Sequence, residues 1–216
     1  MKTLKINLAE DYSSKINDII KVLKKGGVII YPTDTVYGLG VNAINEKAVE
    51  KLFKTKERHA TKPLPIIAKN MKWVKELAYV HPKLEDKLPK IWELGPVTII
   101  LPKKELVPDI VTSKQPNIAI RIPSFDFTDK LLGKFGYPLV ATSANISGLK
   151  ESGKIDRVKK MFWMYRTWKP DLIIDAGDLP ELKPSTILDL TTIMPKILRK
   201  GAIDEKKIWE ILGIKN

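Results

Sequence analysis

Cysteine is absent from this 216-residue chain, which excludes disulfides, thiolate metal sites and a cysteine nucleophile. Histidine occurs only as His59 and His81, too little for a multi-histidine zinc site or a confident Ser-His-Asp triad. No apolar run is long enough to cross a bilayer, and the opening MKTLKINLAEDY lacks a secretory apolar segment. These absences predict a cytosolic protein with no membrane partner. Negative charge is also scarce: 25 Asp and Glu stand against 38 Lys and Arg, a net charge of +13. That excess favours anionic partners such as nucleotides, phosphorylated metabolites or RNA, without choosing among them. Lysine outnumbers arginine, isoleucine is abundant and Gln115 is the sole glutamine, a balance that leans towards a thermophilic source.

What is present is a soluble globular composition, 44% hydrophobic and 29% charged, with enough chain for one sizeable core. The chain is organised around Val28–Ala43, VIIYPTDTVYGLGVNA. A β-branched apolar run reads as a buried strand that Pro32 ends. Thr33, Asp34 and Thr35 then put hydroxyls and a carboxylate where burial is costly without a partner. Gly38-Leu39-Gly40 lets the backbone bend and a ligand approach. The stretch is read as the floor of a ligand site; a polar strand-to-loop junction closed by its own hydrogen bonds is the alternative.

Around it, helical spacing predicts helices over 13–25 and over Glu46–Glu57, the second capped by Asn45 with Val49, Leu52 and Phe53 on its buried face. Lys56 continues that stripe. Either its stem packs while the ammonium snorkels to water, or it faces a phosphate together with Arg58 and Lys62. Pro65–Ala68, Val97–Leu101, Asn117–Ile122, Leu139–Thr142, Leu172–Asp175, Ser185–Leu190 and Lys196–Arg199 read as strands, and 70–79, 82–94, Asp156–Trp168 and Asp204–Leu212 as helices. In Asn117–Ile122 the alternation puts Arg121 opposite Ile118, Ile120 and Ile122, facing either solvent or a cleft. Trp73, Leu77, Leu84, Leu88, Ile91 and Trp92, and later Met161, Phe162, Met164, Tyr165 and Trp168, are read as packing. Ser143-Ala144-Asn145-Ile146-Ser147-Gly148 repeats the opening pattern of strand, small polar side chains and glycine, a turn suited to anions. The prediction is a single α/β (α+β) domain with a mixed twisted sheet.

Gly38-Leu39-Gly40-Val41-Asn42-Ala43 fits G-x-G-x-x-A formally, but Thr33–Tyr37 separates the strand from the first glycine, and the region about 20 residues on is the basic cluster of Lys56, Arg58 and Lys62 rather than an acidic strand end, so a dinucleotide fold is rejected. A P-loop pattern is missing. The combination of PTDTVYG (Pro32–Gly38), the K-x-R of Lys56 and Arg58, S-A-N-x-S-G (Ser143–Gly148) and PST (Pro184–Thr186) resembles the YrdC/Sua5 family over about residues 15–200. Some members carry a His where this chain has Ile67-Ala68-Lys69.

The resemblance implies a YrdC-like twisted open mixed sheet with flanking helices and a large basic concave cleft. It implies one domain over 1–216 without the extra C-terminal domain of longer members. It implies an L-threonylcarbamoyladenylate synthase that condenses L-threonine, bicarbonate or CO2, and ATP into threonylcarbamoyl-AMP and pyrophosphate. The product serves N6-threonylcarbamoyladenosine formation at tRNA position 37 through a downstream transferase complex. By the same resemblance, Lys56 and Arg58 are catalytic; Lys56, Arg58, Lys62, Ser143, Asn145 and Arg199 bind ATP; Thr35, Arg121, Thr142 and Ser185 bind threonine. Mg²⁺ is expected on the phosphates, since no multi-carboxylate cage is evident. The alternative is a module that binds double-stranded RNA or tRNA without synthase activity; a carbamoyltransferase of hydrogenase maturation is a weaker one.

Overall fold

The computed structural model describes residues 1–164, 167–180 and 182–214. Two mixed sheets form the frame. The first holds β1 (Lys2–Lys5), β9 (Leu172–Asp175), β2 (Ile29–Tyr31), β3 (Gly38–Gly40) and β8 (Thr142–Ser143), in that order. The second runs β11 (Lys196–Arg199), β10 (Thr186–Asp189), β5 (Val97–Pro102), β6 (Asn117–Arg121), β4 (Ile66–Ile67) and β7 (Leu139–Val140). Parallel pairs β1/β9, β2/β9, β5/β10 and β4/β6 are bordered by antiparallel ones. Parallel neighbours need crossovers, and the helices supply them.

The apolar stripes decide where the helices sit. In α1 (Ser13–Lys24), Ile16, Ile19, Ile20 and Leu23 are buried, and they pack with Phe127, Leu131, Leu132 and Phe135 of α6 (Asp126–Phe135) over one face of the molecule. On the other side lie α2 (Glu46–Lys56), α3 (Met71–Leu77), α4 (Lys87–Glu93), α7 (Ile155–Met164) and α8 (Glu205–Leu212). A single turn, α5 (Asp109–Thr112), precedes β6. The sequence pattern offers Ser13 or Ser14, Asn45 and Asn70 as helix caps, and the two asparagines serve: Asn45 Oδ1 accepts from Ala48 N at 3.1 Å and Asn70 Oδ1 from Trp73 N at 3.1 Å, whereas α1 starts after Tyr12 with no side-chain cap, both serines lying inside its first turn. No helix among the described residues is long and apolar enough to cross a membrane.

Five features differ from the sequence pattern. Leu139–Thr142 is not one strand: β7 pairs with β4 in one sheet and β8 with β3 in the other, so the chain passes between sheets at Ala141. Gly38-Leu39-Gly40 is a strand rather than a loose bend. Its glycines make room for an aromatic ring, because a Cβ on Gly40 would sit 2.7 Å from Tyr31 Cε1. Helix α6 lies in a stretch with no sequence signal, its period interrupted by Gly133. Finally, Met164 and Trp168 are exposed and do not pack into the core, although Phe162 is buried; Tyr165 lies outside the described residues. The span 82–94 also divides, into a 3-10 turn at Pro82–Leu84 and α4.

Candidate active-site cleft

Strand alternation builds the floor of a cleft of about 490 Å³. On β5 and β6, Ile99, Leu101, Ile118 and Ile120 turn into the core, so Thr98, Ala119 and Arg121 turn the other way and line the cleft. Ile187 of β10, Arg199 of β11 and Ser185 just before β10 extend the floor. The facing wall belongs to the other sheet: the loop Thr33–Tyr37 after β2, and Thr142 and Ser143 of β8. Seven of the ten residues singled out in the sequence therefore line one cavity: Thr35, Arg58, Arg121, Thr142, Ser143, Ser185 and Arg199. Lys56, Lys62 and Asn145 do not.

Lys56 adopts neither of the two arrangements foreseen for it. Its side chain is fully inside, 2% exposed, and Nζ donates to Ser143 O at 2.5 Å, Asn145 Oδ1 at 2.7 Å and Asn145 O at 3.1 Å. An ammonium has three protons, and here three protein acceptors meet them. Asn145 is equally occupied: its Oδ1 also accepts from Ser143 Oγ at 2.6 Å, and its Nδ2 donates to Leu149 O at 2.5 Å and Ile146 O at 3.2 Å. The lysine is thus the post around which the Ser143–Asn145 turn is wrapped, and Ser147 N ties the turn to Lys56 O at 2.9 Å. Burial pulls the Lys56 pKa down to about 7, with the Arg58 charge adding and Glu151 opposing. Arg58 stands at the cleft mouth and donates to Lys62 O at 3.2 Å and Pro63 O at 2.9 Å, holding the loop beyond α2, while the Lys62 side chain is exposed.

Across the cleft, Arg121 pairs with Asp34, so the ion pair joins the end of β6 in one sheet to the loop after β2 in the other. That loop is internally fixed: Thr33 Oγ1 donates to Val36 O at 2.6 Å and accepts from Thr35 N at 3.1 Å. The pair is single-pronged. Arg121 Nε and Asp34 Oδ1 are buried without a hydrogen-bond partner, and so is the hydroxyl of the fully buried Tyr31. Burial outweighs pairing for both members, raising the Asp34 carboxyl above its ordinary pKa and lowering Arg121. Burial likewise raises the Tyr31 phenol. On the floor, Arg199 donates to Ser185 O at 2.8 and 3.0 Å and to Ser185 Oγ at 2.9 Å, and that hydroxyl lies 3.0 Å from Thr98 Oγ1.

Three cleft residues escaped the sequence assignments. Asp34 stood in the central motif but received no role, because nothing in the sequence joins it to Arg121, 87 positions away. Tyr31 reads as an ordinary strand residue. Glu151 lines the cleft within the field of both Lys56 and Arg199, and no local pattern marks it. Among the described residues no cluster of three or more His, Cys, Asp or Glu is placed to hold a metal. With Asp34 engaged by Arg121, this donor set fits a cation that arrives on a phosphate chain better than one caged by side chains.

Comparisons with known proteins point one way. The Sua5/YciO/YrdC family model, described as "Telomere recombination", matches residues 21–201. The chain is 34% identical to a threonylcarbamoyl-AMP synthase of Pyrococcus abyssi over 98% of its own length, and spans 61% of that relative. It is 36% identical to a putative threonylcarbamoyl-AMP synthase of Methanocaldococcus jannaschii, covering 96% of each chain. The crystal structure of P. abyssi Sua5 complexed with L-threonine superposes with a TM-score of 0.87 at 32% identity, covering 98% of this chain and 60% of that one.

Proposed function

The chain belongs to the Sua5/YciO/YrdC family, and from that premise we propose that it is an L-threonylcarbamoyladenylate synthase. It joins L-threonine, bicarbonate or CO2, and ATP, releasing pyrophosphate and supplying threonylcarbamoyl-AMP for tRNA modification by a separate transferase. The observation that carries the reading is the cleft itself: Arg121 and Arg199 from the six-stranded sheet and Arg58 from the loop after α2 converge on one cavity. Such a cavity suits a carboxylate and a phosphate chain at once.

In this reading Arg121 meets the threonine carboxylate, with Thr35, Thr142 and Ser185 around the rest of the amino acid. Arg58 and Lys62 at the mouth, Ser143 in the wall and Arg199 on the floor receive the nucleotide. Lys56 and Asn145 serve the same site from behind, by holding the Ser143 turn and keeping positive charge under it. The threonine amine, once it has given up its ammonium proton, adds to CO2 and releases a second proton to give a carbamate, whose oxygen attacks the α-phosphorus as pyrophosphate departs. No covalent enzyme intermediate is required; positioning and fixed positive charge carry the step. Mg²⁺ bound to the phosphates would add charge neutralisation.

The test is pyrophosphate release with ATP, Mg²⁺, L-threonine and bicarbonate. Release is expected to depend on both threonine and bicarbonate, and release that ignores either would remove the assignment. The RNA-binding alternative draws on the net charge of +13. It predicts binding that weakens steeply with salt, whereas threonine-dependent turnover should persist.

A further inference from the structure

Buried polar atoms without partners are uncommon in folded proteins, and each costs free energy while it stays empty. Here three belong to residues that line this one cleft: Arg121 Nε, Asp34 Oδ1 and the Tyr31 hydroxyl. A guanidinium and a carboxylate can bond with two prongs each. This pair uses one, although both side chains are largely enclosed, 13% and 18% exposed. Each partner therefore keeps half of its capacity open. The open half of Arg121 is a donor with positive charge, and the open half of Asp34 is an acceptor with negative charge.

A ligand that fills both must bring a carboxylate and a cationic donor only a few bonds apart. The head group of an α-amino acid has that composition. We propose that Asp34 is the acceptor for the substrate's α-amino group, so that the Asp34–Arg121 pair reads both ends of the amino-acid head: Arg121 takes the carboxylate and Asp34 the ammonium. This rests on the threonine reading above and adds a specificity-determining residue to it. The Thr33 hydrogen bonds to Val36 O and Thr35 N hold Asp34 in place on the loop. The raised pKa of Asp34 fits a carboxyl that awaits a cation besides Arg121.

The pair also discriminates. An α-hydroxy acid of the same shape satisfies Arg121 but leaves Asp34 Oδ1 facing a neutral hydroxyl, so the lost partner is a charged one.

The experiment measures binding of L-threonine and of 2,3-dihydroxybutanoate of matching configuration, by calorimetry, to the wild type and to Asp34→Asn. The wild type should prefer threonine at least tenfold. Asp34→Asn should weaken threonine at least tenfold and leave the hydroxy acid within about threefold, which closes the gap. Arg121→Ala should weaken both ligands together. A second measurement needs no variant: N-acetyl-L-threonine, which has no ammonium, should bind the wild type at least tenfold worse than threonine. If Asp34→Asn keeps the wild-type preference, or the wild type does not distinguish the ligands, the inference is overturned and Asp34 is only a counterion. A wild type that ignores threonine but binds another α-amino acid with the same Asp34 dependence would refute the threonine reading and uphold this one.

Discussion

Two buried cations stand on opposite sides of the cleft, and they differ in what their protons do. Lys56 gives all three to protein acceptors and touches no open space. Arg121 lines the cavity, bonds one carboxylate oxygen and leaves Nε empty. Both are drawn towards neutrality by burial. On the reading proposed above, the cation whose donors are all satisfied belongs to the scaffold, and the one that keeps a donor open meets the ligand. The contrast matters because sequence spacing left both open, Lys56 as a snorkelling stem or a phosphate ligand and Arg121 as facing solvent or a cleft.

The sharpest way to break the comparison is Arg121→Ala. The threonine requirement should rise by the equivalent of about 2–5 kcal/mol, the loss seen when a buried charge-assisted pair is truncated, while the ATP requirement moves little. Steady-state kinetics with each substrate varied in turn checks this. A variant that loses ATP affinity instead places Arg121 with the phosphates.

Lys56→Met tests the other side. A phosphate-facing lysine could be removed without harm to the ligand-free fold. A lysine that holds the Ser143–Asn145 turn cannot, since its loss strands Asn145 O and takes a charged donor from Ser143 O and Asn145 Oδ1, which keep only neutral ones. Thermal or denaturant unfolding should show a loss of roughly 1–3 kcal/mol, the cost of unpaired buried acceptors. The ATP-induced stabilisation should shrink as well. An unchanged ligand-free protein would return Lys56 to the phosphates.

The same lysine has a pH signature. Its folded pKa of about 7 lies below the ordinary 10.5. Below pH 7 both folded and unfolded states hold the proton, and Lys56 contributes no slope. Between about 7 and 10.5 only the unfolded state holds it, so stability rises with pH. The wild type should gain on Lys56→Met by up to about 1.4 kcal/mol per pH unit in that window. Unfolding curves of both proteins at pH 6.5, 7.5 and 8.5 check it; a constant difference would mean the ammonium is retained throughout.

Tyr31→Phe should have the smallest effect. It deletes a buried hydroxyl with no partner and should raise ligand-free stability by no more than about 1 kcal/mol. A fall in the melting temperature would show that the hydroxyl is already bonded.

Most of the frame was legible because it rests on local periodicity. The stripes of α1, α2 and α8, the alternation in β6 and the Asn45 and Asn70 caps depend on residues within a turn or two of each other. Helix α6 was missed because Gly133 and the polar residues of its first turn blur the period, while its burial comes from α1, more than a hundred positions earlier. The division of Leu139–Thr142 between two sheets was invisible for the same reason: four apolar or small residues look alike whichever neighbour they pair with. In the cleft, spacing identified which residues converge but not their bonds. Lys56 was recognised as facing inward, yet its acceptors lie 87 and 89 positions away. Asp34 was visible as a costly carboxylate, and only the fold reveals its partner.

The passage of the chain between sheets has a consequence for how the two proposed substrates influence each other. Residues 138–143 are sewn to both sides: Ala43 N and Val41 O bond Pro138 O and Val140 N on one, and Ala141 N bonds Pro65 O on the other. Thr142 and Ser143, which follow that seam, form one bank of the cleft, and Arg121 forms the other. A small molecule held by both banks acts as an additional stitch across the gap, fixing a spacing that the next molecule would otherwise have to fix for itself. Threonine and ATP should therefore be cooperative partners. Whatever factor one adds to the affinity of the other must be returned in equal measure, since a coupling free energy has no direction.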